Sequence, residues 1–282
     1  MCYDADARPP LPPIRGSALD AGELTLTASD GIQVAAYAAR AGTPSGAGIV
    51  ILPDVRGLHP FFEELALRFA EAGVDAIAID YFSRTAGTSR RDPGFEHNNH
   101  VSLTRHETLN ADVTAAAAYL RTPEGGAVER LYTVGFCFGG RLSFLQAASG
   151  IGAAGVIGFY GWPVGANRAG LPAPADEAPR FACPVLAIWG GADEGIVVVH
   201  GIVKSAAAIQ EIISAAALEL LERAGRIVAA KYDVAISRPN DGIDQGESIV
   251  TDGSIAVGGP GEQVHRHPGG CAHIGDAAQD LP

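Results

Sequence analysis

One short segment constrains the fold of this chain more than any other, the run Gly-Phe-Cys-Phe-Gly-Gly at residues 135–140. A strand-like run, Leu-Tyr-Thr-Val at 131–134, precedes it, and a helix-compatible run at 141–148 follows it. The glycines of this segment remove the side chains that would collide where a strand turns sharply into a helix. The pattern therefore predicts that Cys137 lies at the apex of a strained turn, with its thiol above the edge of a sheet.

A cysteine in such a turn is typical of a nucleophile elbow. The residue that follows, Phe138, would offer its backbone N–H to a developing oxyanion. The helix that begins near Gly140 would place the positive end of its dipole beside the sulfur and favour the thiolate. The alternative is a buried cysteine in a glycine-rich loop, because free cysteines often serve as small core residues. The strand before the turn and the helix after it favour the elbow.

Composition and charge narrow the classes of partner. The 282 residues suit one large α/β domain with a tail, or two small domains. The formal net charge of -12 argues against binding to nucleic acid or to an anionic membrane surface. No apolar run approaches the roughly 18 residues of a membrane span, and the acidic N-terminus is unlike a signal peptide. The four cysteines form no C-x-x-C pair, so we expect free thiols in a reducing cytoplasm.

Strand-like and helix-like segments alternate along the chain, which predicts an α/β fold with a mostly parallel central sheet and helices on both faces. Strands are expected at 23–27, 33–37, 46–52, 74–79, 131–134, 154–160, 184–189 and 226–232, helices at 60–73, 109–120, 141–148 and 205–224, and loops at 83–100 and 161–180. Residues 23–237 would form the domain, after an extended lead-in at 1–22 and before a poorly ordered, glycine-rich tail at 238–282.

Four polar residues follow predicted strand ends, namely Asp54, Arg84, Cys137 and Asp193. The carboxyl ends of parallel strands share one edge of a sheet, and active groups cluster beyond that edge. The pattern therefore predicts one pocket for all four side chains.

Four motifs in this order resemble those of the dienelactone hydrolase family: Leu-Pro-Asp-Val-Arg-Gly at 52–57, Asp-Tyr-Phe-Ser-Arg at 80–84, the cysteine turn at 135–140, and Gly-Gly-Ala-Asp at 190–193. The resemblance extends from about residue 23 to about residue 196. It implies a cysteine hydrolase on the α/β-hydrolase fold, with a Cys-Asp-His triad and no cofactor. The family's namesake substrate is a small unsaturated lactone that carries a carboxylate.

The resemblance also implies a role for each candidate residue. Cys137 would be the nucleophile that forms a thioester acyl-enzyme, and Asp193 would be the triad acid. Asp54 stands where the family has a glutamate that accepts the thiol proton, and the N–H of Val55 would be the second oxyanion donor. Arg84 would hold the substrate carboxylate.

Each of the three charged candidates also has a purely structural interpretation. Asp193 would then be a turn residue that caps the next segment. Asp54 would be a loop acid paired with Arg56, and Arg84 would be a solvated arginine.

The triad histidine is missing from its expected place. The family carries a phrase of the form Gly-x-x-His-x-Phe after the last strand, whereas residues 231–238 here read Lys-Tyr-Asp-Val-Ala-Ile-Ser-Arg. Three explanations remain open: a shifted reading frame in the C-terminal part, a substitute histidine such as His200, or a non-hydrolytic relative. We expect weak or absent hydrolysis, because general acid–base catalysis alone contributes about 10²–10⁴-fold.

Two further classes of function remain as alternatives. One is a catalytically silent protein that binds a small carboxylate on a hydrolase scaffold. The other is a metalloprotein that uses His265, His267, Cys271 and His273, although the predicted tail offers these ligands no stable scaffold. A dinucleotide-binding dehydrogenase is disfavoured, because no G-x-G-x-x-G follows the first core strand. The expected partner is a small lactone or ester, and the sequence leaves both its identity and the oligomeric state open.

Overall fold

A mixed sheet of eight strands is the centre of the fold in the computed structural model, which describes residues 7–9, 18–92, 94–165, 169–190 and 232–237. The strands are β1 (Ala18–Thr27), β2 (Gln33–Ala41), β3 (Ala47–Leu52), β4 (Asp75–Ile79), β5 (Arg130–Phe136), β6 (Ala153–Phe159), β7 (Val185–Gly190) and β8 (Tyr232–Ser237). Their order across the sheet is β1-β2-β4-β3-β5-β6-β7-β8.

The middle of the sheet is parallel, and its margins are antiparallel. Strands β4, β3, β5, β6 and β7 pair in parallel with their neighbours. Strand β2 runs antiparallel to both β1 and β4, and β8 runs antiparallel to β7. The β1–β2 hairpin turns at Asp30-Gly31, as this dipeptide predicts, and Gly31 has a φ of 83°.

Helices cover both faces of the sheet. They are α1 (Pro60–Glu71), α2 (Ser83–Ala86), α3 (His97–Leu103), α4 (His106–Arg121), α5 (Phe138–Gln146) and α6 (Pro174–Glu177). Every residue of β3 is buried, and its successive side chains point to opposite faces. Val50 and Leu52 therefore pack in one hydrophobic cluster with α4 and α5, whereas Ile49 and Ile51 pack with α1 in another.

Helix α1 shows how local sequence delimits an element. Pro60 stands in its first turn, where a missing N–H leaves no helical hydrogen bond unmade. Beyond its end, Gly73 has a φ of 88°. Its N–H donates to the Ala70 carbonyl at 3.0 Å, and the Val74 N–H donates to the Phe69 carbonyl at 2.9 Å. This Schellman arrangement ends the helix and leads directly into β4, so the predicted helix with its C-terminal glycine is confirmed.

Two segments predicted as loops contain short helices. Residues 83–100 hold α2 and the start of α3, and residues 161–180 hold α6 and a 3-10 turn at Ala178–Arg180. These helices have only four to seven residues, so they present no sustained hydrophobic period that sequence analysis could detect. Strand β1 also begins at Ala18, inside the segment predicted as an extended lead-in.

Of the elements predicted after residue 190, only the last strand can be compared with the described residues. The last strand was expected at 226–232 and is found at Tyr232–Ser237. The expected helix at 205–224 and the expected tail lie outside the described residues. Within the described part of the chain, no helix combines the length and apolar character that crossing a membrane requires.

Candidate active site

Cys137 occupies a strained turn between β5 and α5. Its φ of 56° and ψ of -117° lie outside the regions that L-residues ordinarily adopt. The backbone N–H of Cys137 donates to the Phe159 carbonyl at 2.9 Å, and its carbonyl accepts from the Arg141 N–H at 3.2 Å. Strand β6 and helix α5 thus hold the turn from both sides. The predicted strained turn with cysteine at its apex is confirmed.

The glycines of this turn permit backbone to pack against backbone. A Cβ at Gly139 would overlap the carbonyl oxygens of Leu52 and Pro53, and one at Gly135 would overlap the carbonyl of Gly139 itself. Neither obstacle is a flexible side chain that could move away. The close approach at Gly139 brings the end of β3 against the start of α5, so the loop that carries Asp54 and Val55 lies beside the cysteine turn.

Two backbone N–H groups border this junction, those of Phe138 and Val55. Phe138 is the first residue of α5, where helical geometry leaves the N–H without a partner inside the helix. Val55 is the second residue of a β-turn in which the Gly57 N–H donates to the Asp54 carbonyl at 3.0 Å. Among the described residues, neither N–H has a hydrogen-bond acceptor. Both are therefore available to an oxygen atom of a ligand.

Asp54 is fully buried and paired with the residue two positions along. The Arg56 side chain donates to its carboxylate, with Nη2 at 2.6 Å from Oδ2, and the Arg56 N–H donates to Oδ1 at 2.9 Å. The His59 Nε2 lies 3.8 Å from Oδ1. Burial alone would raise the pKa of Asp54, but His59 and Arg56 outweigh burial and lower it to about 2. Pairing with Arg56, the structural interpretation, is what the structure shows, and so acidic a carboxyl is a weak base at neutral pH.

Tyr81 is a polar residue of this site that the sequence motifs did not single out. Its side chain is buried, and its hydroxyl lies 2.7 Å from the Pro53 carbonyl and 2.5 Å from the Asp54 carbonyl. Its ring meets the Phe138 ring edge to face, with centroids 5.8 Å apart. The available signal was its place in the motif at 80–84, close behind a buried strand, where a hydroxyl must find a partner.

Arg84 is held by two carboxylates of the protein. Its Nε donates to both oxygens of Asp112 at 3.0 Å, and its Nη1 donates to Asp30 at 2.5 Å. The side chain is 12% exposed, so the interpretation as a solvated arginine is wrong. Binding of a substrate carboxylate by Arg84 remains a prediction, and it would require a rearrangement of this pair of salt bridges.

Arg141 anchors the segment that follows β6. Arg141 is 2% exposed, and its guanidinium donates to carbonyl groups between residues 162 and 172, including Gly165 at 2.7 Å and Pro172 at 2.9 Å. Trp162, at the start of this segment, is 51% exposed. The Trp162 side chain is therefore exposed to solvent, on a segment that hydrogen bonds to helix α5 through Arg141.

A groove of about 460 Å³ lies beside Phe95 and His100, between α2 and α3. None of the predicted site residues lines it. Its two arginines already have acidic partners, since Arg90 pairs with Glu63 and Arg91 pairs with Asp80. We therefore place the candidate site at the cysteine turn.

The remaining predicted site residues lie outside the described part of the chain. They are Asp193, which follows the end of β7 at Gly190 by three positions, and the histidines His200, His265, His267 and His273. Cys271, the fourth member of the metal-binding alternative, also lies there.

A central parallel sheet with a strained cysteine turn directly after β5, and with helices on both faces, defines an α/β-hydrolase. The family model of the dienelactone hydrolase family matches residues 34–219, and the chain belongs to that family. The match continues past residue 196, where the resemblance was expected to fade.

Individual relatives agree with this assignment. A putative carboxymethylenebutenolidase of Methylorubrum extorquens is 30% identical over 184 residues, which cover 63% of this chain and 62% of the relative. The carboxymethylenebutenolidase of Rhodococcus opacus is 29% identical over 200 residues, covering 68% of this chain and 73% of the relative. The crystal structure of a putative dienelactone hydrolase from Klebsiella pneumoniae superposes with a TM-score of 0.54 at 27% identity, covering 75% of this chain and 82% of that one.

Proposed function

We propose that this protein is a hydrolase of the dienelactone hydrolase type that cleaves a small carboxylate-bearing lactone or ester through an acyl-enzyme on Cys137. The observation that supports this most directly is the strained cysteine turn, bordered by two backbone N–H groups that have no acceptor among the described residues. Strain at a single non-glycine residue persists where the surrounding structure enforces it, and such residues cluster at active sites.

The chemistry would proceed in two steps. The Cys137 thiolate attacks the carbonyl carbon, and the Phe138 and Val55 N–H groups stabilise the oxyanion that forms. The carbon–oxygen bond of the lactone or ester then breaks, the departing oxygen takes up a proton, and a thioester remains on Cys137. Water adds to the thioester, the carbon–sulfur bond breaks, and the acid leaves. A thiolate nucleophile requires a reduced thiol, which agrees with the expected reducing cytoplasm.

The relatives' names support a lactone as the substrate. The Rhodococcus relative is called carboxymethylenebutenolidase and the Methylorubrum relative a putative one, a name that describes a butenolide lactone with a carboxylate-bearing side chain. We propose the same substrate class here, with Arg84 as the candidate carboxylate ligand once its pairing with Asp30 opens.

We assign Asp54 a part in holding the loop that carries the Val55 N–H. Its pairing with Arg56 and its depressed pKa make it a weak acceptor for the thiol proton, although acceptance of that proton stays a prediction. Asp193 remains the proposed triad acid. Because the expected phrase at 231–238 lacks a histidine, we expect formation of the thioester to outpace its hydrolysis.

A catalytically silent carboxylate-binding protein is the second candidate, and the absent histidine favours it. The two candidates differ in whether Cys137 becomes acylated. We propose to mix the full-length protein with p-nitrophenyl acetate, follow release of p-nitrophenol, and map the acetylated cysteine by peptide mass spectrometry. A hydrolase shows a burst of about one equivalent on Cys137, followed by slow turnover.

Matched variants make this test specific. Cys137→Ala should abolish the burst. Cys183→Ala should retain it, because Cys183 is buried and burial raises the pKa of its thiol to about 11. Absence of acetylated Cys137 in the wild-type protein, or an equal burst in Cys137→Ala, would refute the proposed function.

A further inference from the structure

The Tyr81 hydroxyl is buried directly beneath the loop that carries the Val55 N–H. It lies within hydrogen-bonding distance of two consecutive carbonyl groups of that loop, at 2.7 Å from Pro53 and 2.5 Å from Asp54. The partners are separated from Tyr81 by 28 and 27 positions in the chain, so this contact ties the end of β4 to the end of β3.

The contact with Asp54 determines the direction of the Val55 N–H. The peptide unit between Asp54 and Val55 is planar and trans, so its carbonyl and its N–H point in opposite directions. A carbonyl that accepts from Tyr81 on one side therefore directs the Val55 N–H to the other. The Gly57 N–H donates to the same carbonyl at 3.0 Å and constrains the turn further.

The turn is also seated on the residues next to Tyr81. Gly57 has a φ of +74°, and a Cβ at this position would stand 2.9 Å from Oδ1 of Asp80 and 3.2 Å from the Phe82 ring. The loop that follows β3 thus rests on the segment at 80–82, with Tyr81 at the middle of the contact.

Tyr81 also reaches the cysteine turn. Its ring packs edge to face against Phe138, the residue with the other available N–H. Complete burial, followed by the charges of Asp54, Asp80 and Cys137, raises the pKa of Tyr81 well above its ordinary value. The phenol therefore stays protonated, and remains a donor, throughout the range in which a hydrolase is assayed.

We propose that Tyr81 is the positioning residue that aims the Val55 N–H at the oxyanion, an inference that rests on the proposed function of Cys137. Tyr81 touches neither the substrate nor the sulfur in this role. It acts through the Asp54 carbonyl, and its ring holds Phe138 in the same arrangement.

The test compares two reactions of the same sulfur. Acylation by p-nitrophenyl acetate passes through an oxyanion, whereas alkylation by iodoacetamide displaces iodide at a saturated carbon and forms none. Tyr81→Phe keeps the ring and removes the hydroxyl. Loss of one oxyanion donor costs about 10²–10³-fold, so we expect its misdirection to slow acylation of Cys137 by at least about 10-fold. Alkylation should stay within about 2-fold of wild type, because it uses no oxyanion hole.

Two further variants complete the experiment. Gly57→Ala should likewise slow acylation of Cys137 and leave its alkylation unchanged, because a Cβ there displaces the turn while Tyr81 stays in place. Tyr132→Phe, which removes a buried hydroxyl from β5, should leave both rates unchanged. Equal rates of acylation in Tyr81→Phe and wild type would overturn the inference, as would a parallel fall in both reactions. Failure of the proposed function looks different, since wild-type Cys137 would then be alkylated but never acylated, and the inference would fall with it.

Discussion

Removal of the Arg141 guanidinium should destabilise the fold more than the substitutions Arg121→Met and Arg84→Lys that are described below. Its Nη1 donates to the carbonyls of Trp162 at 3.2 Å and Val164 at 3.4 Å. Its Nη2 donates to Gly165, Leu171 and Pro172, at 2.7, 3.2 and 2.9 Å. Arg141→Met would keep much of the aliphatic volume and withdraw the donors from all five carbonyls.

The expected loss follows from burial and from the charge. A hydrogen bond to a charged group contributes about 1.5–3 kcal/mol. Five such contributions do not add, because taking the guanidinium out of water opposes them, and burial lowers the pKa of Arg141 for the same reason. Removing the guanidinium leaves backbone carbonyls without a donor, and a buried polar group left unsatisfied costs about 1–3 kcal/mol. We expect Arg141→Met to lower the free energy of unfolding by about that amount.

Urea denaturation followed by circular dichroism measures this loss. Arg121→Met is the matched control, because Arg121 is exposed and donates to the Ile151 carbonyl at 2.8 Å. The control should change stability by no more than about 0.5 kcal/mol. A loss below about 1 kcal/mol in Arg141→Met, or a loss equal to that of the control, would refute the reasoning.

Three further predictions concern the turn, the buried acids and the substrate. Gly139→Ala should destabilise the fold by at least about 1–3 kcal/mol and abolish acylation of Cys137, because the added Cβ would overlap two carbonyl oxygens. Urea denaturation and the p-nitrophenyl acetate burst measure these two effects. The control is Gly22→Ala, whose Cβ meets no atom within 4 Å and which should change neither the stability nor the burst. Burial, against the opposing charges of Arg91 and Arg84, raises the pKa of Asp80 and of Asp112 from 3.8 to about 6. In the folded protein these carboxyls therefore hold protons that the unfolded chain releases, so their contribution to stability should grow as pH falls from about 7 to about 4. Urea midpoints measured across this pH range should show the increase, and Asp112→Asn should show a weaker dependence of the midpoint on pH. An unchanged pH dependence in Asp112→Asn would count against the raised pKa of Asp112. If Arg84 binds the substrate carboxylate, Arg84→Lys should raise KM for a carboxylate-bearing lactone by about 10-fold or more and leave KM for p-nitrophenyl acetate unchanged. Equal increases in KM for the two substrates would assign Arg84 a structural role.

Local features of the site were predictable from the sequence. The cysteine turn was predictable, because the glycines at 135 and 139 are needed where a strand turns into a helix that packs against the backbone of another strand. The pairing of Asp54 with Arg56 was also foreseen as an alternative, since two residues so close in the chain meet in almost any tight turn. The buried strands β3 and β4 were recognisable as short apolar runs between turn residues.

Contacts between distant segments were not predictable in the same way. Arg84 was expected at a substrate carboxylate, but its partners Asp30 and Asp112 lie 54 and 28 positions away and meet it only in the folded chain. The hydroxyl of Tyr81 likewise finds its acceptors 27 and 28 positions away, so no local pattern marked it. The short helices α2 and α3 carry too few residues to show a period.

The sequence by itself determined where this chain can turn and which residue stands at the strained turn between β5 and α5, because steric limits on the backbone act between near neighbours. The tertiary structure alone decided which charges pair and which segments lie beside the cysteine turn. Those outcomes depend on the strand order β4-β3-β5, which brings the segments after residues 52, 79 and 136 to one edge of the sheet.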